Sequence, residues 1–380
     1  MPIKGPLDSG ETFFTSGANR HNDDLWEHGE RLAQCNFAFC PGDPNMQVDC
    51  MDATLSELLD ANAGFDLAAR GTTNHCPMAL VALSRMGASP ARLHEFFAMW
   101  ERKYALPAPR VDVTIDRRDW SRELGNPAAF GALRMGFLDW MADDGPIPVI
   151  TQVLSAVPFA PATGAFHALI RLAYGIEAAH AGEMAAGLAA LVASHLPIAV
   201  PVDGRRRAES VDAAFYEAAR AMANDPVPGN SITARLRAVA NDARFQQAVL
   251  APPATSSLLD DVARAAIAAY WRTGDFTVLH TVTGTHAARI LFAQLPDSLV
   301  EQLLPALWIA LCTAYATVRK PSDVEPDVPG VEGDWSEACR LAVLSDDDHV
   351  VKMTYTCLCE HRRNASALYL ASAARLVGMA

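Results

Sequence analysis

From Ala53 to the C-terminus the apolar residues of this chain recur three and four positions apart, and alternating apolar–polar runs are nearly absent. That spacing places one face of each segment against a core as a helix, and it leaves little chain for a sheet. Helices are expected at residues 54–61, 75–86, 90–104, 127–142, 146–156, 164–180, 182–195, 208–223, 230–240, 256–273, 276–293, 297–318, 334–344 and 347–376. Asn74-His75 and Ser89-Pro90 read as helix starts and Gly87 as a stop. Arg110–Ile115 is the one tempting strand. Abundant alanine at helical spacing suits close helix packing. The fold class expected is all-α, a single large multi-helix bundle over residues 53–380. An irregular arm rich in Gly, Asn, Asp and Pro precedes it over residues 1–52. Pro201–Arg207 and Lys320–Asp334 read as surface loops of that one domain. A faint echo links 166–192 with 279–307, where a histidine opens one helix and a second Ala/Leu helix follows.

With 51% apolar and 20% charged residues over 380 positions, a sizeable core is available and general disorder is excluded. The net charge of -13 argues against a nucleic-acid partner, and the one basic block is Arg205-Arg206-Arg207. The first residues, Met-Pro-Ile-Lys-Gly-Pro-Leu, lack the apolar stretch of a secretory signal. The longest apolar run, Leu303–Val318, falls short of the ~20 residues a membrane span needs and reads as a buried helix. The eight cysteines form no C-x-x-C pair, so free thiols in a cytoplasmic protein are expected, without zinc-finger or thioredoxin chemistry.

Eleven histidines are the main chemical resource. His75 falls in the first turn of a helix, where the dipole disfavours the imidazolium and leaves a neutral ring able to bind a metal; a capping or buried histidine is the simpler reading. His167, Arg171, Tyr174 and, slightly off the stripe, Glu177 run along one helix, as a buried polar network or the wall of a site. His280 and His286 are six apart, ~240° around a helix, so both face one point only if the helix breaks at Gly284. His280 has the apolar approach and is preferred, with His286 in reserve. His21 and His28 lie in the arm, where His28-Gly29-Glu30 mimics an H-x-E pattern but the surroundings are polar. His94, His180, His195 and His361 sit near helix ends or among charges and read as surface residues.

Ser345–Tyr355 opens a helix with a serine and three acids, then places His349 and Lys352 three apart on a largely apolar face. Either Lys352 pairs with the acids one turn back, or both residues point at a metal. Rossmann, P-loop, G-x-S-x-G, H-E-x-x-H and repeated E-x-x-H signatures are all missing from the sequence.

Four motifs in order resemble the questin oxidase-like family of fungal and bacterial polyketide pathways. They are Asn74-His75-x-Pro77-Met78-Ala79-Leu80 with Met86-Gly87-Ala88-Ser89, Gly164-Ala165-Phe166-His167 through Tyr174-Gly175-Ile176-Glu177, His280-x-Val282-Thr283, and Asp347-Asp348-His349-x-x-Lys352. The resemblance runs from about residue 55 to the C-terminus. It implies an oxidoreductase that opens a ring of an anthraquinone-type substrate, with a Baeyer–Villiger-like outcome and NADPH as reductant. It also implies a mononuclear non-haem Fe(2+) reacting with O2, held by His75, His167, His280, His349 and Lys352 carboxylated by CO2. Tyr174, Arg171 and Glu177 would then support the site or contact a phenolic substrate. Burial frees a lysine amine, and its carbamate is an oxygen donor longer than Glu; five such ligands leave one octahedral position open. On this reading the acids before His349 are cap and support rather than partners of Lys352. With no Rossmann fingerprint, NADPH would bind in another way. Two alternatives use the same residues: a Zn or Ni hydrolase, and a metal-free helical binding protein.

Overall fold

The computed structural model describes residues 44–318 and 333–379, with positions 321, 328 and 330 between them, and side chains from Asp52 onward. By its contacts the chain divides into Met1–Asn45 and Met46–Ala380, and the second unit carries all that follows. His21, His28 and most of the Lys320–Asp334 loop lie outside the described residues. Among the described residues are sixteen α-helices and one three-stranded sheet, so the protein is mostly a helical bundle.

The helices are α1 (Pro44–Ala61), α2 (Cys76–Arg85), α3 (Pro90–Lys103), α4 (Phe130–Asp144), α5 (Pro146–Ala156), α6 (His167–Glu177), α7 (Ala181–Ala193) and α8 (Val211–Met222). They continue as α9 (Ile232–Ala240), α10 (Ala243–Ala248), α11 (Leu258–Thr273), α12 (Phe276–Phe292), α13 (Asp297–Tyr315), α14 (Trp335–Leu344), α15 (Asp348–Arg363) and α16 (Ala367–Val377). Strand β1 (Phe65–Ala69) pairs antiparallel with β2 (Thr72–Thr73) and with β3 (Ala105–Pro107).

Four details differ from the sequence expectation. Helix α1 begins at Pro44, inside the expected 1–52 arm. Arg110–Ile115 is irregular coil rather than a strand, while the sheet forms from short segments that carry no alternation. The short helix α10 is additional. The single helix expected at 347–376 breaks at Asn364, whose backbone is extended, and α16 restarts with Ser366 accepting from Leu368 N.

Alanine and glycine set the packing. Helix α7 is buried along almost its whole length, and α4, α5 and α6 pack on it. A Cβ on Gly187 would lie 2.4 Å from Leu172 N, and one on Gly175 2.7 Å from Met184 N, so α6 and α7 touch backbone to backbone. Helix α13 is long and apolar enough to cross a membrane by length and composition, with 61% of that window buried inside the molecule. Four helices close a ring: α2 packs on α6, α6 on α12, α12 on α15, and α15 on α2.

Candidate metal centre

Each helix of that ring carries a histidine at or near its start. His75 is the N-cap of α2, His167 the first residue of α6, His349 lies in the first turn of α15, and His280 in the second turn of α12. Local chemistry fixes the starts. Asn74 accepts from Cys76 N, Asp275 from Thr277 N and Val278 N, and Asp347 from His349 N and Val350 N. Helix α6 is entered through Ala165 and Phe166 at φ 58° and 70°, a left-handed backbone that non-glycine residues adopt at a cost of about 1–3 kcal/mol. Gly284 makes room for that entry, since a Cβ there would meet the Phe166 ring at 2.9 Å. Helix α12 runs unbroken through Gly284. The glycine therefore serves close approach, which brings the start of α6 against α12.

The four imidazoles gather where the helices begin. His75 stacks on His167 with centroids 4.2 Å apart, His280 meets His167 edge-on at 4.7 Å, and His349 meets His75 edge-on at 4.8 Å. His349 is 5.4 Å from His280, and His75, His167 and His349 can each offer a nitrogen with all three within 4.8 Å.

Every Nδ1 is anchored. Gly164 O lies 2.6 Å from His167 Nδ1 and Phe276 O 2.7 Å from His280 Nδ1. Asp348 Oδ1 lies 2.7 Å from His75 Nδ1 and 3.1 Å from His349 Nδ1. A carbonyl only accepts, so His167 and His280 carry their hydrogen on Nδ1 and leave Nε2 as a bare lone pair. Those two Nε2 atoms face each other at 3.1 Å. Lone pairs so close repel unless a proton or a cation lies between them. Nitrogens bound side by side to one metal, at bonds of about 2.1 Å, stand about 3 Å apart. His349 Nε2 is buried without a partner, and His75 Nε2 meets only Thr72 Oγ1, at 3.3 Å.

A shared proton is the poorer solution. Burial, helped by the Lys352 charge and opposed by Asp348, pushes His75 down to about 4. Burial and the neighbouring imidazoles hold His167 and His280 well below the ordinary histidine value. Imidazoles with anchored Nδ1 atoms, two of them with bare Nε2 atoms face to face, are the donor pattern of a metal centre, so these residues fit a bound cation.

Lys352 is 3% exposed and belongs to the same cluster, but the expectation that the acids would not pair with it is corrected: its Nζ lies 3.0 Å from Asp348 Oδ1, one turn back. One carboxylate oxygen thus serves two imidazoles and an ammonium. Burial alone would raise the Asp348 carboxyl, yet the Lys352 charge and the imidazoles hold it well below the usual carboxylate range. The spacing Asp348/Lys352 was the signal for this hub, visible in the sequence as an i, i+4 pair.

Of the residues expected to support the site, Tyr174 and Glu177 lie deeper along α6. There Tyr355 of α15 donates to Glu177 Oε1, and its ring is 6.1 Å from that of Tyr174. Tyr174 OH and Glu177 Oε2 are buried without partners. Burial and the Glu177 charge push the Tyr174 phenol well up, so it keeps its proton. Arg171 joins a buried network, one of the two readings of its stripe: its Nε and a terminal nitrogen are 2.7 and 3.0 Å from the Glu183 carboxylate. Glu183 also accepts from Asn62, which bonds Asn74 beside His75. His286 turns to Glu360, 2.8 Å away, and stands apart from the cluster. His94 is exposed, His180 caps α7, and His195 and His361 bond backbone carbonyls.

Sequence reasoning treated Phe276 only as an apolar approach to His280. In the structure it is 51% exposed with its ring 4.7 Å from both His280 and His349, an aromatic edge at the mouth of the cluster. On another side Trp100 lies 6.0 Å from His75 and 4.6 Å from Tyr104. A small cavity of about 30 Å³ lined by Phe215, Tyr216, Arg272 and Tyr315, and an open groove beside Ile147 and Leu295, include none of the clustered histidines.

A family model described as questin oxidase-like matches residues 72–274 and 265–357, a span that contains all five clustered residues. Among curated proteins none matches the chain.

Proposed function

The chain therefore belongs to the questin oxidase-like family, which supports an oxidoreductase in general, and on that premise we propose an O2-dependent oxidative ring cleavage, Baeyer–Villiger-like in outcome, of an anthraquinone or related polycyclic aromatic. His75, His167, His280 and His349 would hold a mononuclear non-haem iron, joined by Lys352 as its carboxylated form. The observation that carries this reading is the pair of bare Nε2 atoms 3.1 Å apart, each with its Nδ1 committed to a carbonyl. When bound, the iron supplies the one-electron chemistry that lets O2 react with a closed-shell aromatic.

The chain's own groups do the rest. Neutral imidazoles contribute donors without charge. For Lys352 to join them its ammonium leaves Asp348, gives up two protons and takes up CO2, which exchanges a buried cation for an anion. Asp348 then keeps the His75 and His349 rings in orientation. Phe276 offers a planar aromatic ligand an edge beside His280 and His349. Tyr174 keeps its proton in a buried group where Tyr355 donates to Glu177. NADPH fits this scheme as an external reductant.

The test is metal analysis of the isolated protein together with O2 uptake on a panel of hydroxyanthraquinones. The expected result is about one iron per chain and substrate-dependent O2 consumption, both lost in His280→Ala. Bound zinc or nickel without O2 uptake would move the assignment to a hydrolase. Protein free of metal, with stability and ligand binding untouched by a chelator, would leave a helical binding protein.

A further inference from the structure

The three-stranded sheet delivers one side chain to the metal centre. Strands β1 and β2 form a hairpin turned at Gly71, whose φ of 77° is a left-handed backbone that glycine adopts freely. The hairpin is tied from several sides. Ala69 pairs with Thr72 and with Ala105 of β3, Arg70 N donates to Tyr104 O at 2.9 Å, and Asn74 N donates to Leu67 O at 2.8 Å. Asn74 Nδ2 donates in turn to the buried Asn62 Oδ1 at 3.1 Å. Thr72 therefore stands on fixed backbone, and its β-branched side chain has few rotamers to choose from. Its Oγ1 lies 3.3 Å from His75 Nε2, the one hydrogen-bond partner this hydroxyl has among the described residues. The Asp348 carboxylate accepts from His75 Nδ1 at 2.7 Å, which places the ring hydrogen there and leaves Nε2 as a lone pair. The Thr72 hydroxyl thus donates to the same lone pair that a cation would take. No other hydroxyl among the described residues bonds a clustered imidazole, and Thr72 is only half-buried, so small molecules can reach it.

We propose that Thr72 is the hydrogen-bond donor to the exogenous ligand that shares the cation with His75, O2 in the proposed reaction; the inference rests on the metal reading of the cluster. Once a cation takes the His75 lone pair, the hydroxyl loses its acceptor, while the hairpin keeps its oxygen beside that nitrogen. The acceptor next within its reach is an electron-rich atom bound to the same cation. A donor already in place needs no reorganisation when negative charge builds on that atom. O2 becomes anionic as it gains electrons, so the bond strengthens during the reaction, and a contact of that kind lowers a barrier. Thr72 keeps its own proton throughout. The imidazoles cannot supply this bond, since each has one nitrogen anchored and offers the other to the cation. Phe276, at the mouth, carries no donor in its side chain.

The test loads the full-length protein with Fe(III) and titrates it with azide, an anionic stand-in for reduced O2, by optical absorption. Thr72→Val removes the hydroxyl at nearly constant shape and suits a strand, so the fold is expected to persist. It should weaken azide binding about 10–100-fold, the range for a hydrogen bond to a charged group, and Thr72→Ser should restore it. Metal affinity, read by chelator competition, should not fall in Thr72→Val, because hydroxyl and cation compete for one lone pair. Equal azide affinity in native protein and Thr72→Val, both fully loaded, would overturn the proposal and leave the metal reading standing. Weaker metal binding in Thr72→Val with azide affinity unchanged would assign the hydroxyl to holding the His75 ring, and so overturn it as well. Native protein that takes up no metal would overturn both.

Discussion

A single oxygen, Asp348 Oδ1, lies within 3.1 Å of His75 Nδ1, His349 Nδ1 and Lys352 Nζ. Its loss would leave two imidazoles free to turn and a buried ammonium unpaired. Asp348→Asn is expected to weaken metal binding about 10–100-fold, the range for lost support of metal-bound histidines. Competition with a chromophoric chelator measures it. Lys352→Ala is expected to retain the fold, since Asp348 keeps its two imidazoles, yet to lose bicarbonate-dependent metal loading; loading that stays bicarbonate-dependent in that variant removes the lysine from the scheme. The sequence made the five clustered residues visible because each interrupts an otherwise apolar helix. It left Arg171 between a buried network and a site wall, because its partner Glu183 lies on the next helix and spacing along α6 alone does not show it. It also left the pairing of His286 open, since Glu360 is distant in sequence and nothing local announces the contact.

At the scale of elements, glycines decide how near two helices come. Gly187→Ala places a methyl group 2.4 Å from the backbone of Leu172, and backbone cannot rotate away as a side chain does. The expected cost is about 1–3 kcal/mol or more, read as a lower urea midpoint at unchanged slope. Gly284→Ala drives against the Phe166 ring at 2.9 Å and so pushes His167 away from His280. It should weaken metal binding more than it lowers stability, and equal losses would argue for a purely structural glycine. Helix existence was legible from the 3.6-residue period. Its endpoints were less so: the break at Asn364 is followed by a serine cap that the continuous apolar pattern overrode.

For the whole molecule, the His286–Glu360 pair links stability to pH. Burial disfavours charge on Glu360, but His286 and Arg289 bring the carboxyl down to about 2, against 4.5 ordinarily. The pair's contribution is present above that ordinary value and is lost as pH falls through about 2. His286, raised to about 10 from 6.5, contributes fully below 6.5 and loses the contribution as pH rises through about 10. The stability profile should therefore decline on both sides of the interval between 4.5 and 6.5, and His286→Ala should flatten the alkaline side and cost about 3 kcal/mol. Denaturant titrations at a series of pH values check both limbs. The all-α class was legible because no stretch carried a strand period over useful length. The closed ring of α2, α6, α12 and α15 was not, since it depends on contacts between segments up to 273 residues apart, as His75 and Asp348 are.

Those four helices begin at or within about a turn of the histidines, so four sets of backbone N–H groups, each the positive end of a helix dipole, lie near the cluster. The buried Asp348 and the capping carboxylates Asp275 and Asp347 offset them only in part. An acidic hydroxyl on an aromatic ligand at the Phe276 mouth enters a field that favours its ionised form. A hydroxyanthraquinone should therefore change colour on binding, its absorption moving toward that of the phenolate at a pH where the free dye is still neutral.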